Sequence, residues 1–567
     1  MPNSVDNISG DSNVSEHFRN IYYNIYNVHL TNMDLFEAIE TNISNENFVW
    51  LDKITPELVS KLIGRLNNGK NDQFFNFKSD GLKLSKDIIS IPLAKILKAF
   101  LVHGYATDLF LSCSLIPLIK DNRKSKTVSN NYRLIAISSL VLKLMDLLML
   151  ELFSPNLKVS NMQFGFQTNS STTLCSWTLK ESINFFTNRG SPVYLCLLDM
   201  TKAFDHVKLD LLFKKLRDRM PGVFLRFLIY TYVNQQCAVK WNGAISSNFS
   251  IANGVRQGET ILPVLFNVYM DQIFNILKES NVGCKIDNFY YGVVGYADDF
   301  TLISPSRDGL QRMINLVNKY CEEHGIRIST DENIQKSKTK CICFNYRGDI
   351  DNIMLYNRPL PWVDSHLHLG HTINKNESSS DDIISRAEFI SNIHALYQEL
   401  GNTPPHVFLS LVQTYFTSFY GAVLWDLQSN AATRLYSTWN VHIRNAYNLP
   451  YATHRYILQE LSNRPPLQVS FCKRFTKFCE QIKKSKRPEV LHLFHLQKFD
   501  YRSTFGKNYL NIILLKRNYG VNYECPIGEE WRFPLIKELL QVQFGEKTLN
   551  HLDSAEIDAL LVDVCCS

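Results

Sequence analysis

The chain has 567 residues, too many for one ordinary domain, and is 45% apolar and 12% aromatic, which excludes a disordered or low-complexity chain. Its formal net charge of +6 is too small to argue for a nucleic-acid partner by itself. The thirteen cysteines are scattered, apart from Cys341/Cys343 and Cys565/Cys566, with no disulfide framework and no paired zinc-ligand spacing; they read as reduced thiols of an intracellular protein.

Residues 1–16 are polar, rich in Asn and Ser, and read as disordered, without the apolar core of a signal peptide. From Phe18 to about Phe100 the pattern is helical; Thr55-Pro-Glu followed by Leu58, Leu62, Ile63 and Leu66 reads as a capped amphipathic helix ending near Gly69. Ser112–Lys120 is a short apolar strand, a polar basic connection follows, and Arg133–Ile137 leads into an apolar helix, Leu140–Leu152. Lys143 and Asp146 interrupt that helix, and no apolar run approaches membrane-spanning length, so no membrane partner is expected and the protein should act in the cytoplasm and nucleus.

Three segments carry chemistry. Pro192–Leu198 reads as a buried strand ending in Asp199, although Asp is also a favoured helix cap. Asn253-Gly-Val-Arg-Gln-Gly258 is a tight loop that lets Arg256 and Gln257 approach a ligand, with Pro263 opening an apolar helix, Val264–Leu277. Asn288–Ser304 is strand, turn, strand, with Asp298 and Asp299 at the tip, where paired acids often serve only the turn. Together, two strand-borne carboxylate sites can hold two Mg²⁺ ions, which take oxygen ligands and stabilise an in-line phosphoryl transfer. Further on, Asn374–Asp382 is a Ser-rich break, and Ile383–Leu449 is helical. Residues 471–517 carry twelve Lys/Arg against three acids, whereas residues 521–567 carry nine acids against three bases, a nucleic-acid-facing segment and an acidic tail, or two ordinary solvated faces.

Asp199-x-x-Lys-Ala-Phe-Asp205, Gly254-Val-Arg-Gln-Gly258 with Pro263 and Leu265-Phe266-Asn267, and Tyr296-Ala-Asp-Asp299 resemble, in order, three palm motifs of non-LTR (LINE-like, jockey-like) retrotransposon reverse transcriptases. Leu115–Lys120, Tyr132-Arg133 and Lys143 resemble the family's fingers motifs. Gly325-Ile-Arg-Ile328 with Lys338-Thr339-Lys340 resembles the fourth palm motif, and His368-Leu-Gly-His371 the primer grip. The sequence departs from the family at Leu134, where a proline is usual, at Glu259 and Leu262, where a small residue and a serine are usual, and in the longer Thr330–Gln335 segment.

The resemblance implies an α+β right-hand polymerase with an antiparallel palm sheet and helical N- and C-terminal extensions. Its parts would be an N-terminal helical extension (1–100), fingers and palm (101–375), a helical thumb (376–460), and a basic helical segment with an acidic tail (461–567). It implies RNA-directed DNA synthesis from dNTPs on an RNA template with a DNA primer. Asp199, Asp298 and Asp299 would ligate two Mg²⁺ ions. Lys120, Arg133, Phe204, Arg256, Gln257, Gly258 and Lys338 would bind the nucleotide, with Phe204 as a gate against the 2′-hydroxyl, and His368, Leu369 and Gly370 would grip the primer. His366, His368 and His371 could also ligate a metal, but polar residues on a surface hairpin are the plainer reading. The stretch before the fingers is too short for an endonuclease, so a separate one is expected. Rival readings are an RNA-templated RNA polymerase and a catalytically impaired RNA-binding remnant of a retroelement.

Overall fold

The computed structural model describes residues 2–27, 49–71, 78–255, 258–375, 381–400 and 403–519. Ser4–Val5 and Ile8–Ser9 pair as a short hairpin, and α1 (Asp11–Tyr26) follows at once. The expected disorder of residues 1–16 is therefore corrected. Polar composition conceals a four-residue spacing, in which Val14, Phe18, Tyr22 and Tyr26 share one buried face. Phe18 lies 5.3 Å from the ring of Tyr132 and 5.1 Å from that of Trp241, so this helix completes a small core of its own with the strands that carry those rings.

Helix α2 (Pro56–Gly64) starts where the sequence predicts: the Thr55 hydroxyl accepts the Leu58 N–H at 3.2 Å, and Pro56 occupies the first turn. It ends at Gly64, earlier than the expected Gly69. Helix α3 (Lys86–His103) closes on Gly104 in the left-handed conformation. Strands β1 (Cys113–Ile119) and β2 (Tyr132–Ile137) pair antiparallel, and α4 (Leu140–Phe153) leaves β2 through a Ser139 cap.

Helix α5 (Thr172–Thr187) precedes β3 (Val193–Leu198). Helices α6 (Leu209–Leu216) and α7 (Gly222–Asn234) lead to β4 (Gln236–Trp241), which joins β1 in parallel. The apolar helix after Pro263 is broken at Asp271 into α8 (Leu262–Met270) and α9 (Gln272–Glu279). Strands β5 (Val293–Tyr296) and β6 (Asp299–Ser304), helix α10 (Arg307–Glu323) and strand β7 (Lys340–Phe344) complete a four-stranded antiparallel sheet in the order β5-β6-β3-β7. Every residue of β3 is buried, as a central strand covered on both faces requires, and α5 and α10 both pack on it.

The hairpin of β8 (Ser365–His368) and β9 (His371–Asn374) leads to α11 (Asp381–Leu400), α12 (Pro405–Tyr415) and α13 (Asn430–Ala446). The last described helices are α14 (Leu467–Lys484), α15 (Pro488–Gln497) and α16 (Thr504–Tyr519). They do not stand apart. Helix α15 packs on α5, and one continuous core runs from Ile54 to Phe505. The fold is α+β. The acidic tail and part of the Asn374–Asp382 break lie outside the described residues. Among the described residues no helix is long and apolar enough to cross a membrane, and all ten described cysteines are buried and free.

If α1 is part of that small core, Phe18→Ala should destabilise the protein by about 3–5 kcal/mol, read as a lower urea midpoint of unfolding. An unchanged midpoint would mean that α1 merely rests on the surface.

Candidate active site

Strand β3 delivers Asp199 one residue past its apolar run. Strands β5 and β6 are joined by the two residues Ala297 and Asp298, since Tyr296 stands opposite Asp299. In turn β6 pairs with β3 so that Phe300 faces Leu198. One step outward along each antiparallel strand brings Asp299 beside Asp199, with Asp298 at the tip of the turn. Burial holds the Asp298 carboxyl above its ordinary range, with Asp199 adding to the effect and Arg133 opposing it. Desolvation pushes Asp299 up to about 7, followed by the charges of Asp298 and Asp199. Asp299 also opens onto the cleft, so water screens part of that repulsion.

Cations face this cluster. Lys338 Nζ lies 3.7 Å from Asp199 Oδ2. Burial, and then the positive charges of Arg133, Lys202 and Lys338, draw the Lys120 ammonium below its ordinary range. The cleft thus gathers four cations, three of them expected from the sequence. Lys202 was not singled out as a ligand; its place between Asp199 and Asp205, on a turn where it takes a φ of 48°, was the available signal.

Phe204 lies on the same turn, half-buried, its ring 4.2 Å from that of Phe266. Helix α6 begins only at Leu209, beyond that turn. Gly258, at φ 116°, presses on the fingers: a Cβ there would stand 2.6 Å from the Ala136 carbonyl oxygen. Arg256 and Gln257 lie outside the described residues. Two of the departures from the family pattern are absorbed locally. Leu262 is buried in the core, and Asp146 accepts the Thr260 N–H at the start of α8. Leu134 is buried on β2, opposite Pro117 of β1.

The β8–β9 hairpin turns through Leu369 and Gly370, both at positive φ. The Tyr420 hydroxyl donates to the Leu369 carbonyl at 2.9 Å, and its ring stacks on His371 at 4.7 Å. His368 Nδ1 lies 3.0 Å from the Ser176 hydroxyl, and burial pushes its pKa down to about 3. The expectation of polar histidines on a surface hairpin is therefore corrected: His368 and His371 are buried and only His366 is partly open. A groove of about 480 Å³ runs between this hairpin and the carboxylates, with Asp199, Asp299, Lys338, His366 and Leu369 on its walls.

Among the described residues no three His, Cys, Asp or Glu side chains stand so placed that they could hold an ion by themselves. An open set of carboxylate oxygens fits a hard cation such as Mg²⁺, which keeps waters and shares substrate phosphates. Burial raises both Asp298 and Asp299, neighbouring carboxylates add to it, and a cation bound there would offset that cost.

Residues 120–373 match the family described as reverse transcriptase (RNA-dependent DNA polymerase). This stretch is a reverse transcriptase domain. The Pol polyprotein of the type-2 retrotransposable element R2DM of Drosophila melanogaster is 25% identical over 207 residues, 36% of this chain and 19% of that protein. The RNA-directed DNA polymerase from mobile element jockey, also of Drosophila melanogaster, is 25% identical over 342 residues, 57% of this chain and 36% of that protein. The chain thus spans about a fifth and about a third of the length of these two relatives. Among solved structures, telomerase from Candida albicans with a telomeric RNA fragment aligns over 79% of this chain and 68% of its own, at a TM-score of 0.34 and 10% identity, a likeness too loose to argue from.

Two residues outside the motifs quoted above stand against the carboxylate turn. They are Gln163, whose side-chain amide bonds Ala297, and Gly165, whose missing Cβ would strike the Ala297 nitrogen. The pH consequence of the carboxylate cluster has a definite sign. Asp299 titrates at about 3.9 when unfolded and at about 7 when folded, so the folded chain holds the extra proton between those values and loses stability as pH rises through them. Asp299→Asn should therefore leave metal-free thermal stability unchanged near pH 4 and raise it at about pH 8, by about 1 kcal/mol after solvent screening. Equal midpoints for wild type and variant at both pH values would refute the cluster's repulsion.

Proposed function

We propose that the protein is an RNA-directed DNA polymerase of the non-LTR retrotransposon type, joining dNTPs to a DNA primer 3′-hydroxyl on an RNA template. One observation carries the reading: three carboxylates from two adjacent antiparallel strands meet at one sheet edge, opposite Lys120, Arg133, Lys202 and Lys338. Asp199, Asp298 and Asp299 would hold two Mg²⁺ ions. When bound, such a pair supplies charge neutralisation to the attacking and leaving oxygens.

The chain's own residues do the rest. Lys120 and Arg133 take the triphosphate, Arg through paired planar bonds and Lys as a point charge. Lys338 balances Asp199 until the nucleotide arrives. Gly258 itself lies against Ala136 of β2, and Arg256 and Gln257, its neighbours in sequence, would border the incoming base. Leu369 and Gly370, backed by His368, lay the primer end along the groove toward Asp199. The helices α11–α13 act as a thumb on the duplex. A separate endonuclease opens the target DNA, and the work is done in cytoplasm and nucleus.

Phe204 separates this reading from an RNA-templated RNA polymerase. Its ring rests on Phe266 and cannot retreat freely before a 2′-oxygen. Asp298→Asn should reduce primer extension to background while leaving RNA binding intact; extension at the wild-type rate would remove the carboxylates from the chemistry and favour a non-catalytic RNA-binding remnant. In a folded Phe204→Val variant, the kcat/KM ratio of NTP to dNTP should rise roughly tenfold or more. An unchanged ratio would reopen the RNA polymerase reading.

The basic C-terminal segment serves as an electrostatic hold on nucleic acid, carried by the exposed Lys477, Lys483, Lys484 and Lys486. Arg487, grouped with these on charge alone, is buried and does not belong to that face. Replacing the four lysines with Gln should flatten the salt dependence of RNA binding by roughly 0.7–0.9 log units per decade for each phosphate no longer neutralised. A slope that stays put would mean a merely solvated surface.

A further inference from the structure

The turn that presents Asp298 and Asp299 is under strain. Ala297 takes a φ of 56°, a strained region for a residue with a Cβ, and the charges of Asp298 and Asp199 add to the cost of ionising Asp299. Something outside the turn must hold it. Gln163 is wholly buried, and its carboxamide oxygen accepts the Ala297 N–H at 2.8 Å while its amide nitrogen donates to the Ala297 carbonyl at 3.2 Å. The same oxygen accepts the Gly165 N–H at 2.9 Å. On either side, the Phe164 N–H donates to the Gly295 carbonyl at 2.7 Å and the Gly295 N–H to the Met162 carbonyl at 2.9 Å. Residues 162–165 thus clamp the last strand before the turn and the first residue within it.

That clamp is irregular chain and needs its own support. One anchor is Asn267 of α8, whose amide donates to the Gly165 carbonyl at 2.7 Å. The other arrives from more than three hundred residues away. Arg487, at the start of α15, is 7% exposed. Its Nη1 donates to the carbonyls of Asn161 and Gln163, the latter at 3.0 Å, and its guanidinium lies 4.7 Å over the Phe164 ring. Burial pulls its pKa down to about 10, so it stays charged at neutral pH. A buried guanidinium serving backbone carbonyls is a costly way to fill space, and any neutral side chain of similar volume would pack more cheaply. What only the guanidinium supplies is several fixed donors in one plane.

We propose that Arg487 and Gln163 are positioning residues of the polymerase centre. Arg487 fixes the 161–164 segment, Gln163 passes that constraint to Ala297, and Ala297 sets where Asp298 and Asp299 stand. The C-terminal helices, outside the reverse transcriptase domain of residues 120–373, thereby complete the catalytic centre. This rests on the polymerase reading above.

The test uses the full chain and three readouts: dNTP incorporation split into kcat and KM, Mn²⁺ binding by electron paramagnetic resonance without substrate, and hydrogen exchange of the amides in residues 293–300. Arg487→Met and Gln163→Met should lower kcat roughly 10–100-fold with KM for dNTP little changed, the scale expected when a reacting group is displaced by about an ångström. Both should weaken Mn²⁺ binding and speed exchange at the turn, and Arg487→Lys should restore part of each effect. Folded variants with wild-type kcat, Mn²⁺ binding and exchange would overturn the proposal. So would a loss of kcat with unchanged exchange at 293–300. If a methionine variant fails to fold, Arg487→Lys and Gln163→Glu decide by the same readouts, because each keeps part of the hydrogen bonding. Asp298→Asn is the control: if it leaves incorporation and Mn²⁺ binding untouched, the polymerase reading has failed; if it abolishes both while the Gln163 and Arg487 variants behave as wild type, only the positioning proposal has.

Discussion

Three carboxylates are held at one end of an antiparallel strand pair, and the rest of the molecule is arranged around the cost of keeping them there. Like charges at this separation repel, and burial makes the repulsion stronger. The register that sets Leu198 opposite Phe300 leaves no freedom to relieve it. Every residue of β3 is buried, and a slip of one residue would turn its core-facing side chains to the other face. The apolar core of the sheet therefore holds the acidic cluster in place, and Lys120, Arg133, Lys202 and Lys338 lower its energy from the other side of the cleft.

This constraint explains why segments far apart in sequence meet at the site. Helix α1 reaches it from the N-terminus, where Tyr26 donates to the buried Asp205 at 3.1 Å, six residues beyond Asp199. Asn253 donates to the Asp205 carbonyl at 2.8 Å, so the glycine loop and the first carboxylate turn share one hydrogen-bonded base. Tyr420 supports the hairpin that faces the carboxylates. Helix α15 docks through Arg487, and also through Tyr291, whose hydroxyl donates to the Glu489 carbonyl at 2.7 Å. The Tyr26, Asn253 and Arg487 bonds lie within buried surfaces, where an unmet partner would cost about 1–3 kcal/mol. Such bonds fix positions more tightly than apolar packing alone.

Where the chain departs from the pattern of non-LTR reverse transcriptases, the substitutions are locally self-consistent. The helix after the glycine loop lacks the usual serine. Asp146, on α4, accepts the Thr260 N–H and so meets part of the demand for acceptors at a helix start. Leu262 then joins the core instead of facing a ligand.

The sequence by itself determined the local facts. An apolar six-residue run followed by Asp reads as strand and edge carboxylate, and Tyr-x-Asp-Asp between two apolar runs reads as a hairpin tip; both depend only on neighbours in the chain. The strand before Asp199, the hairpin around Asp298, the Thr55 cap and the order of motifs were legible for that reason. It misjudged residues 1–16, because their few apolar positions gain meaning only against Tyr132 and Trp241. It grouped Arg487 with surface lysines, because charge is a property of composition and burial is not. It passed over Gln163, since an amide reveals its role only when its partner, 134 residues away, is beside it. Tertiary structure alone decided which polar groups are buried, and buried polar groups must be paired. Those pairings connect both ends of the chain to the carboxylates, and sequence spacing holds no record of them.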